Sequence, residues 1–137
     1  MFGLSTHNRQ LACEVIHTGW NPVMVRHSLA HRGAEEQIIP LARETGVSLI
    51  TFNNTCYGRL LDAGPAAPSA AECYHYSLNQ PGVGVCLTAP STIDQLRHNL
   101  TAPSLEISTN RLTELKSIGD AVYRHERNFL DCVRSVR

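Results

Sequence analysis

His27 and His31 stand four residues apart, and an H-x-x-x-H spacing brings two imidazoles to one metal ion when it lies on a helix. Pro22-Val23-Met24-Val25-Arg26-His27 reads instead as a buried strand that runs on into a loop, so the two rings are not expected to converge. No carboxylate or thiolate stands at a position that would complete a ligand set, and no metal is expected. Cys56 lies close to Arg59, whose charge can lower a thiol's pKa; the commoner outcome, and the one expected, is a buried, inert thiol. His7, near a strand end, reads as a loop residue. Gly82-Val83-Gly84 has two glycines of a dinucleotide fingerprint, but it precedes a strand and lacks the third. Arg124, Arg127, Arg134 and Arg137 crowd the C-terminal segment, where cations suit a helix dipole and read as a solvated face. Only Tyr123 and Phe129 could stack on bases there, and no nucleic-acid partner is expected.

The 137 residues have the length of one domain, 1–137, and with 42% hydrophobic and 18% charged residues they can build a packed core. Twelve cations balance twelve anions, so net charge points to no acidic partner; Lys116 is the only lysine. No apolar run approaches the roughly twenty residues of a bilayer span, and Met1-Phe2-Gly3-Leu4-Ser5 lacks the pattern of a leader. Five cysteines without a C-x-x-C pair favour reduced thiols over a disulfide framework. These features predict a soluble, cytoplasmic protein with no membrane partner.

Helical spacing places Leu11, Ala12, Val15 and Ile16 on one face of a helix over 8–18, stopped by Gly19. A second helix is expected over 34–45, kinked by Pro40 and capped by Gly46. Val47 to Phe52 is apolar at nearly every position, as in a parallel strand covered on both faces. Ser69 to Asn79 is expected to cap and form a third helix, and Val83 to Thr88 a further strand. Ser91 or Thr92 caps a short helix ending at Leu100. The last helix begins near Thr109, its Leu112, Leu115, Ile118 and Val122 stripe packing on the sheet. With Met1 to Thr6 as a first strand, the alternation predicts an α/β fold of about four parallel strands with crossover helices and a C-terminal helix.

Four segments, in order, resemble the aldo/keto reductases, (β/α)8 TIM-barrel enzymes that use NADPH. Phe2-Gly3-Leu4-Ser5-Thr6-His7-Asn8 resembles the family's fifth strand and its G-x-S turn. Met24 to Glu35 resembles the sixth strand and the HRGAE opening of the sixth helix found in one branch. Leu49-Ile50-Thr51-Phe52 leading to Tyr57-Gly58-Arg59-Leu60-Leu61 resembles the seventh strand and its cofactor loop. Val85 to Ser91, followed by Gln95-Leu96-Arg97-His98-Asn99, resembles the eighth strand and the short adenosine-binding helix. The resemblance implies a partial barrel, strands five to eight, and so the C-terminal half of an NADP-dependent oxidoreductase that reduces carbonyls to alcohols.

In the family the catalytic Asp, Tyr, Lys and His lie on earlier strands, and no position here matches them. The resemblance therefore implies no catalytic residues and no activity for this chain alone. It implies that Ser5 and Thr6 lie where the nicotinamide carboxamide is held, and that His27 occupies the position of a stacking tyrosine. Asn53, Asn54, Thr55, Gly58 and Arg59 would line the pyrophosphate, whose oxygens suit backbone N–H groups and a guanidinium. Ala89, Pro90, Gln95 and Asn99 would surround the adenosine. Thr6 replaces the usual Asn, Met24 the usual Gln, His27 the usual Tyr and Ala89 a frequent Lys, so binding of NADP(H) is expected to be weak or lost.

Two functions follow. On the first, the chain is the cofactor-holding C-terminal half of a reductase, whether a gene fragment, an internal start or one part of a split protein partnered by an N-terminal half. Alternatively it is a non-catalytic nucleotide-binding or assembly module, in which two copies pair through their open sheet edges. A weaker third reading is a different enzyme that uses His7 and His27, with no carboxylate or nucleophile at a motif position to assist them.

Overall fold

The computed structural model describes residues 2–135, with side chains described through Arg127. Strand β1 (Leu4–Thr6) leads to α1 (Arg9–His17), β2 (Val23–Arg26), α2 (Ile38–Thr45), β3 (Leu49–Phe52), α3 (Ala70–Leu78), β4 (Val83–Cys86), α4 (Ile93–Asn99), a 3₁₀ turn at Ala102–Ser104, and α5 (Thr109–Ser135). All four strands are parallel and adjacent in chain order, β1-β2-β3-β4. Sequential order is the arrangement of a (β/α)8 barrel; a doubly wound sheet reverses direction at a switch point.

Local chemistry sets most of the boundaries. The Asn8 side chain accepts from Leu11 N and starts α1, and the Ser69–Glu72 capping box starts α3. Thr92, one of the two expected caps, accepts from Gln95 N. Gly46 closes α2 in the left-handed conformation expected of it, at φ +72°. That helix begins at Ile38, four residues later than the expected Ala34. Pro40 is therefore its third residue, where an N–H would have no intrahelical acceptor, and it opens the helix instead of kinking it.

Burial alternates along the two central strands. Val23, Val25, Leu49 and Thr51 are buried, and most join Ala12 and Ile16 of α1 and Ile38, Ile39 and Ala42 of α2 in one core. Met24, Arg26, Ile50 and Phe52 point the other way and are only half-buried. The expectation that β3 is covered on both faces is thus corrected: among the described residues only the helix-facing side is packed.

The stripe of α5 does not rest on the sheet as expected. Leu115, flanked by Leu112 and Val122, joins a second core with Leu29, Ala30, Cys56, Leu60, Cys73 and Tyr76, which come from the loops after β2 and β3 and from α3. Arg111 pins the start of α5 to α3: its Nε donates to Glu72 Oε1 at 2.8 Å and its Nη2 to Glu72 Oε2 at 3.1 Å. The Arg111 hydrogen bond is the largest influence on Glu72 and outweighs burial, so the carboxyl lies below its ordinary value. A carboxylate stabilised in the folded state contributes fully above that ordinary value and loses its contribution as pH falls through the folded one. Arg111→Gln is therefore expected to cost about 1–2 kcal/mol at pH 7, discounted for partial solvent exposure. Urea unfolding at neutral pH and near pH 3 checks this: the deficit shrinks in acid, and an equal deficit at both would refute the pairing.

Candidate functional site

In a parallel sheet all strands end on the same side, so the loops that follow Thr6, Arg26, Phe52 and Cys86 gather at one face of the molecule. Every residue expected at a cofactor site lies at the end of a strand, on one of these loops or on α4. The structure divides them into residues that remain open and residues committed to internal bonds.

His27 is fully buried. Its Nε2 lies 2.9 Å from Glu35 Oε1 and its Nδ1 2.8 Å from Ser77 Oγ. With Nε2–H donating to the carboxylate, Nδ1 accepts from the serine hydroxyl. Tyr76 lies almost parallel to the imidazole, at 8° with centroids 5.5 Å apart, and its hydroxyl donates to the same Glu35 oxygen at 2.6 Å. Burial pushes the Glu35 carboxyl up, but the hydrogen bonds from His27 and Tyr76 reverse this and leave it below its ordinary value. Burial, then Glu35, push the Tyr76 phenol well above its own. The stacking expected of His27 is thus met by Tyr76 inside the core, which corrects the expectation of an imidazole open to a nicotinamide ring. The same burial separates it from His7, which is exposed and meets Phe52 edge-on at 5.0 Å.

The loop after β3 is folded in on itself. Asn53, Cys56 and Tyr57 hold positive φ of 60°, 54° and 55°, and Gly58 holds 83°. Cys56 N donates to Asn53 O, Tyr57 N to Asn53 Oδ1, Gly58 N to Thr55 O and Arg59 N to Cys56 O. Of the residues expected along a pyrophosphate, Gly58 and Arg59 thus spend their backbone donors within the turn, as do Cys56 and Tyr57 beside them. Buried Asn54 donates from Nδ2 to Thr51 Oγ1 at 2.9 Å and His27 O at 3.2 Å, tying the ends of β2 and β3 together. Arg59 Nη1 lies 3.1 Å from Glu126 Oε1. Two buried atoms have no partner among the described residues, Asn53 Nδ2 and Asn54 Oδ1.

The remaining expected residues are more open. Ser5 is exposed and Thr6 and Thr55 half-buried; Thr6 Oγ1 accepts from Asn8 N at 3.0 Å. Ala89 and Gln95 are exposed, Gln95 Oε1 accepting from Ser91 N at 2.7 Å. Asn99 donates to Thr88 Oγ1 at 2.8 Å, which fastens α4 to the end of β4.

A second polar group lies under α5. His31 Nε2 is 2.9 Å from Glu126 Oε2, and Cys56 Sγ is 3.7 Å from His31 Nδ1 and 3.9 Å from Glu126 Oε2. Burial and then Glu126 push the Cys56 thiol up to about 11, outweighing Arg59 and Arg26, so in the free protein it is the expected buried, protonated thiol. Burial, with Arg26, lowers the pKa of His31. The rings of His27 and His31 face different partners, as the strand-to-loop reading of their spacing implies.

Sequence reasoning missed Glu35 as an acceptor, Tyr76 and Ser77 as partners of His27, and Glu126 altogether. Glu35 sits within the HRGAE segment that carried the resemblance, and that signal was available. Glu126 is 70 residues from Cys56, and no local spacing could connect them. Among the exposed arginines expected at the C-terminal end, Arg124 and Arg127 are solvated; Phe129, Cys132, Arg134 and Arg137 lie outside the residues whose side chains are described. The described cysteines, Cys13, Cys56, Cys73 and Cys86, are all unpaired. Among the described residues no helix is long and apolar enough to cross a membrane.

No protein-family model and no curated relative matches the chain. Solved structures do. It is similar to the aldo-keto reductase AKR11C1 from Bacillus halodurans in its holo form, at 19% identity and a TM-score of 0.67, over 88% of this chain and 49% of that one. The apo form of the same enzyme gives 18% identity and a TM-score of 0.67, over 83% and 49%. A thermostable aldo-keto reductase, Tm1743, solved with the inhibitor epalrestat, gives 22% identity and a TM-score of 0.59, over 85% and 47%. The chain spans about half the length of the structures it matches. It has the fold of part of a TIM barrel, the fold of about half of an aldo-keto reductase.

Proposed function

We propose that this chain is the dinucleotide-holding half of an aldo/keto reductase barrel, working in a reducing, cytoplasmic setting, with the proton-delivering residues supplied by a further half. The observation that carries this reading is the four-stranded parallel sheet, matched to about half of each solved reductase, together with the unpartnered Asn53 Nδ2 in the loop after β3. A buried donor without an acceptor costs about 1–3 kcal/mol, which a phosphate oxygen drawn into the loop would relieve.

The residues fit NADP(H) at one end only. In this reading Asn53 and Arg59 hold the phosphates, and Ala89, Gln95 and Asn99 surround the adenosine. At the nicotinamide end His27 is sealed and Met24 has no amide to offer, so Ser5 and Thr6 remain without the partners that orient a hydride. When bound, the cofactor supplies a hydride; no proton donor for a carbonyl oxygen stands at a matching position here.

2′-Phospho-ADP-ribose and NADP+ are therefore expected to bind the purified chain weakly and within about threefold of each other, since the nicotinamide adds little. Asn53→Asp keeps the oxygen that accepts from Tyr57 N, tolerates the positive φ and places a carboxylate where the phosphate would sit. Its expected effect is a loss of about tenfold in affinity for both ligands with unchanged folding, read by calorimetry. Carbonyl reduction with NADPH by this chain alone, or no binding of either ligand, would contradict the reading.

A second reading has its own observation. Ser5, Met24, Ile50 and Val85 form one row across all four strands, and Val85 and Leu87 are 47% and 46% exposed beside an unpaired strand edge. Two copies closing their sheets on one another would cover this row and both edges. Analytical ultracentrifugation checks it, a concentration-independent monomer being the outcome that removes it.

A further inference from the structure

We propose that His31, Cys56 and Glu126 form a binding site for one divalent transition-metal ion of the zinc type, with Nε2, Sγ and Oε2 as its protein ligands. The three candidate ligand atoms, one from each residue, lie within 4.8 Å of one another. Zinc bonds of about 2.0–2.3 Å in a tetrahedron place neighbouring ligand atoms roughly 3.3–3.7 Å apart. Glu126 Oε2 is 2.9 Å from His31 Nε2 and 3.9 Å from Cys56 Sγ, so the donors close on an ion through small side-chain movements.

The surroundings suit such an ion. His31 Nδ1 lies 3.4 Å from Ser28 Oγ, an acceptor for the imidazole proton once Nε2 is given to the metal. Arg59 holds Glu126 by Oε1, at 3.1 Å, and leaves Oε2 for coordination. The step balances: the thiol proton passes to solvent, the imidazole proton moves from Nε2 to Nδ1, and a dication meets one thiolate and one carboxylate at zero net charge. That neutrality matters here, because Arg26 and Arg59 both act electrostatically on His31. A sulfur, a nitrogen and an oxygen select zinc-like ions over calcium or magnesium, and three protein ligands leave a fourth position for water or another small ligand. Two cavities flank the group, one of about 550 Å³ reaching His31 and one of about 630 Å³ reaching Arg59 and Glu126. The proposal is independent of any dinucleotide.

Cobalt(II) is the probe. Titrated into the folded chain, it is expected to give a near-ultraviolet thiolate-to-cobalt band and the visible bands of four-coordination, saturating at about one equivalent and displaced by zinc. Cys56→Ser abolishes the near-ultraviolet band, Cys13→Ser and Cys86→Ser retain it, and Glu126→Gln and His31→Gln each weaken affinity at least about tenfold. Circular dichroism establishes that each variant is folded. No thiolate band from folded wild-type protein in excess cobalt overturns the proposal, whatever the variants do. So does a band that survives Cys56→Ser, or an affinity unchanged in both the Glu126 and His31 variants.

Discussion

Replacing Glu35 by alanine is expected to lower the free energy of unfolding by about 3 kcal/mol, although the residue is a surface-reaching carboxylate. One of its oxygens accepts from His27 at 2.9 Å and from Tyr76 at 2.6 Å. Removing it leaves two donors in the interior without an acceptor, each at about 1–3 kcal/mol. The Glu35 side chain is itself 29% exposed, so water reaches part of the gap and holds the total in the lower half of the combined range of about 2–6 kcal/mol. Glu35→Gln keeps an acceptor and is expected to cost only about 1 kcal/mol, and Tyr76→Phe about as much, since it removes a donor and leaves the His27 contact. The sign with pH follows from the lowered Glu35 pKa: the contribution is present above the ordinary carboxylate value and is lost as pH falls through the folded one. Urea unfolding at neutral pH decides the matter, and a Glu35→Ala protein within about 0.5 kcal/mol of wild type would show that the network adds nothing.

Gly119→Ala is the second. On intrinsic propensity alone, alanine in the interior of α5 gains about 1 kcal/mol over glycine. Here the added Cβ would overlap the carbonyl of Leu29 and approach Ala30 N to 3.1 Å, and both are backbone atoms that cannot swing aside. The expected result is a net loss of about 2–3 kcal/mol, with earlier amide exchange in α5 as the helix is levered off its core. Ser117→Ala, on an exposed position of the same helix, serves as the control and is expected to be neutral or slightly stabilising. Gly33→Ala makes an instructive contrast, because the neighbour its Cβ meets is the flexible end of Arg9. A stabilised Gly119→Ala protein would mean that α5 does not dock as described.

These two sites mark where a linear reading runs out. Helical spacing revealed the α5 stripe, yet not what it covers, because a stripe of Leu112, Leu115 and Val122 is equally compatible with a sheet and with two loops. Gly119 gave no signal of its own: a glycine inside a helical pattern reads as a small loss of propensity until something is known to press against it. The role expected of His27 came from the resemblance alone, although the strand it follows is present and ends at Arg26. Its ring turned inward because Ser77 and Tyr76, fifty residues away, supply a partner and a face. Pro40 shows the opposite case, in which a local rule was sound and only the boundary was misplaced.

What the sequence determined by itself is the succession of elements. Caps at Ser69 and Thr92, the stop at Gly46 and the apolar runs of β2, β3 and β4 depend on neighbours within a few residues, and those are read directly from the chain. Parallel pairing followed from the lengths of the connections, and the likeness to half a reductase barrel from four ordered segments. Tertiary structure alone decided which polar side chains face a ligand and which face each other. Hydrogen bonds such as Glu35 to Tyr76 and Cys56 to Glu126 join residues 41 and 70 positions apart, and their formation depends on the desolvation created when α3 and α5 close over the loops. Desolvation is a property of the packed whole, which is why a fold can be legible in a sequence whose site is not.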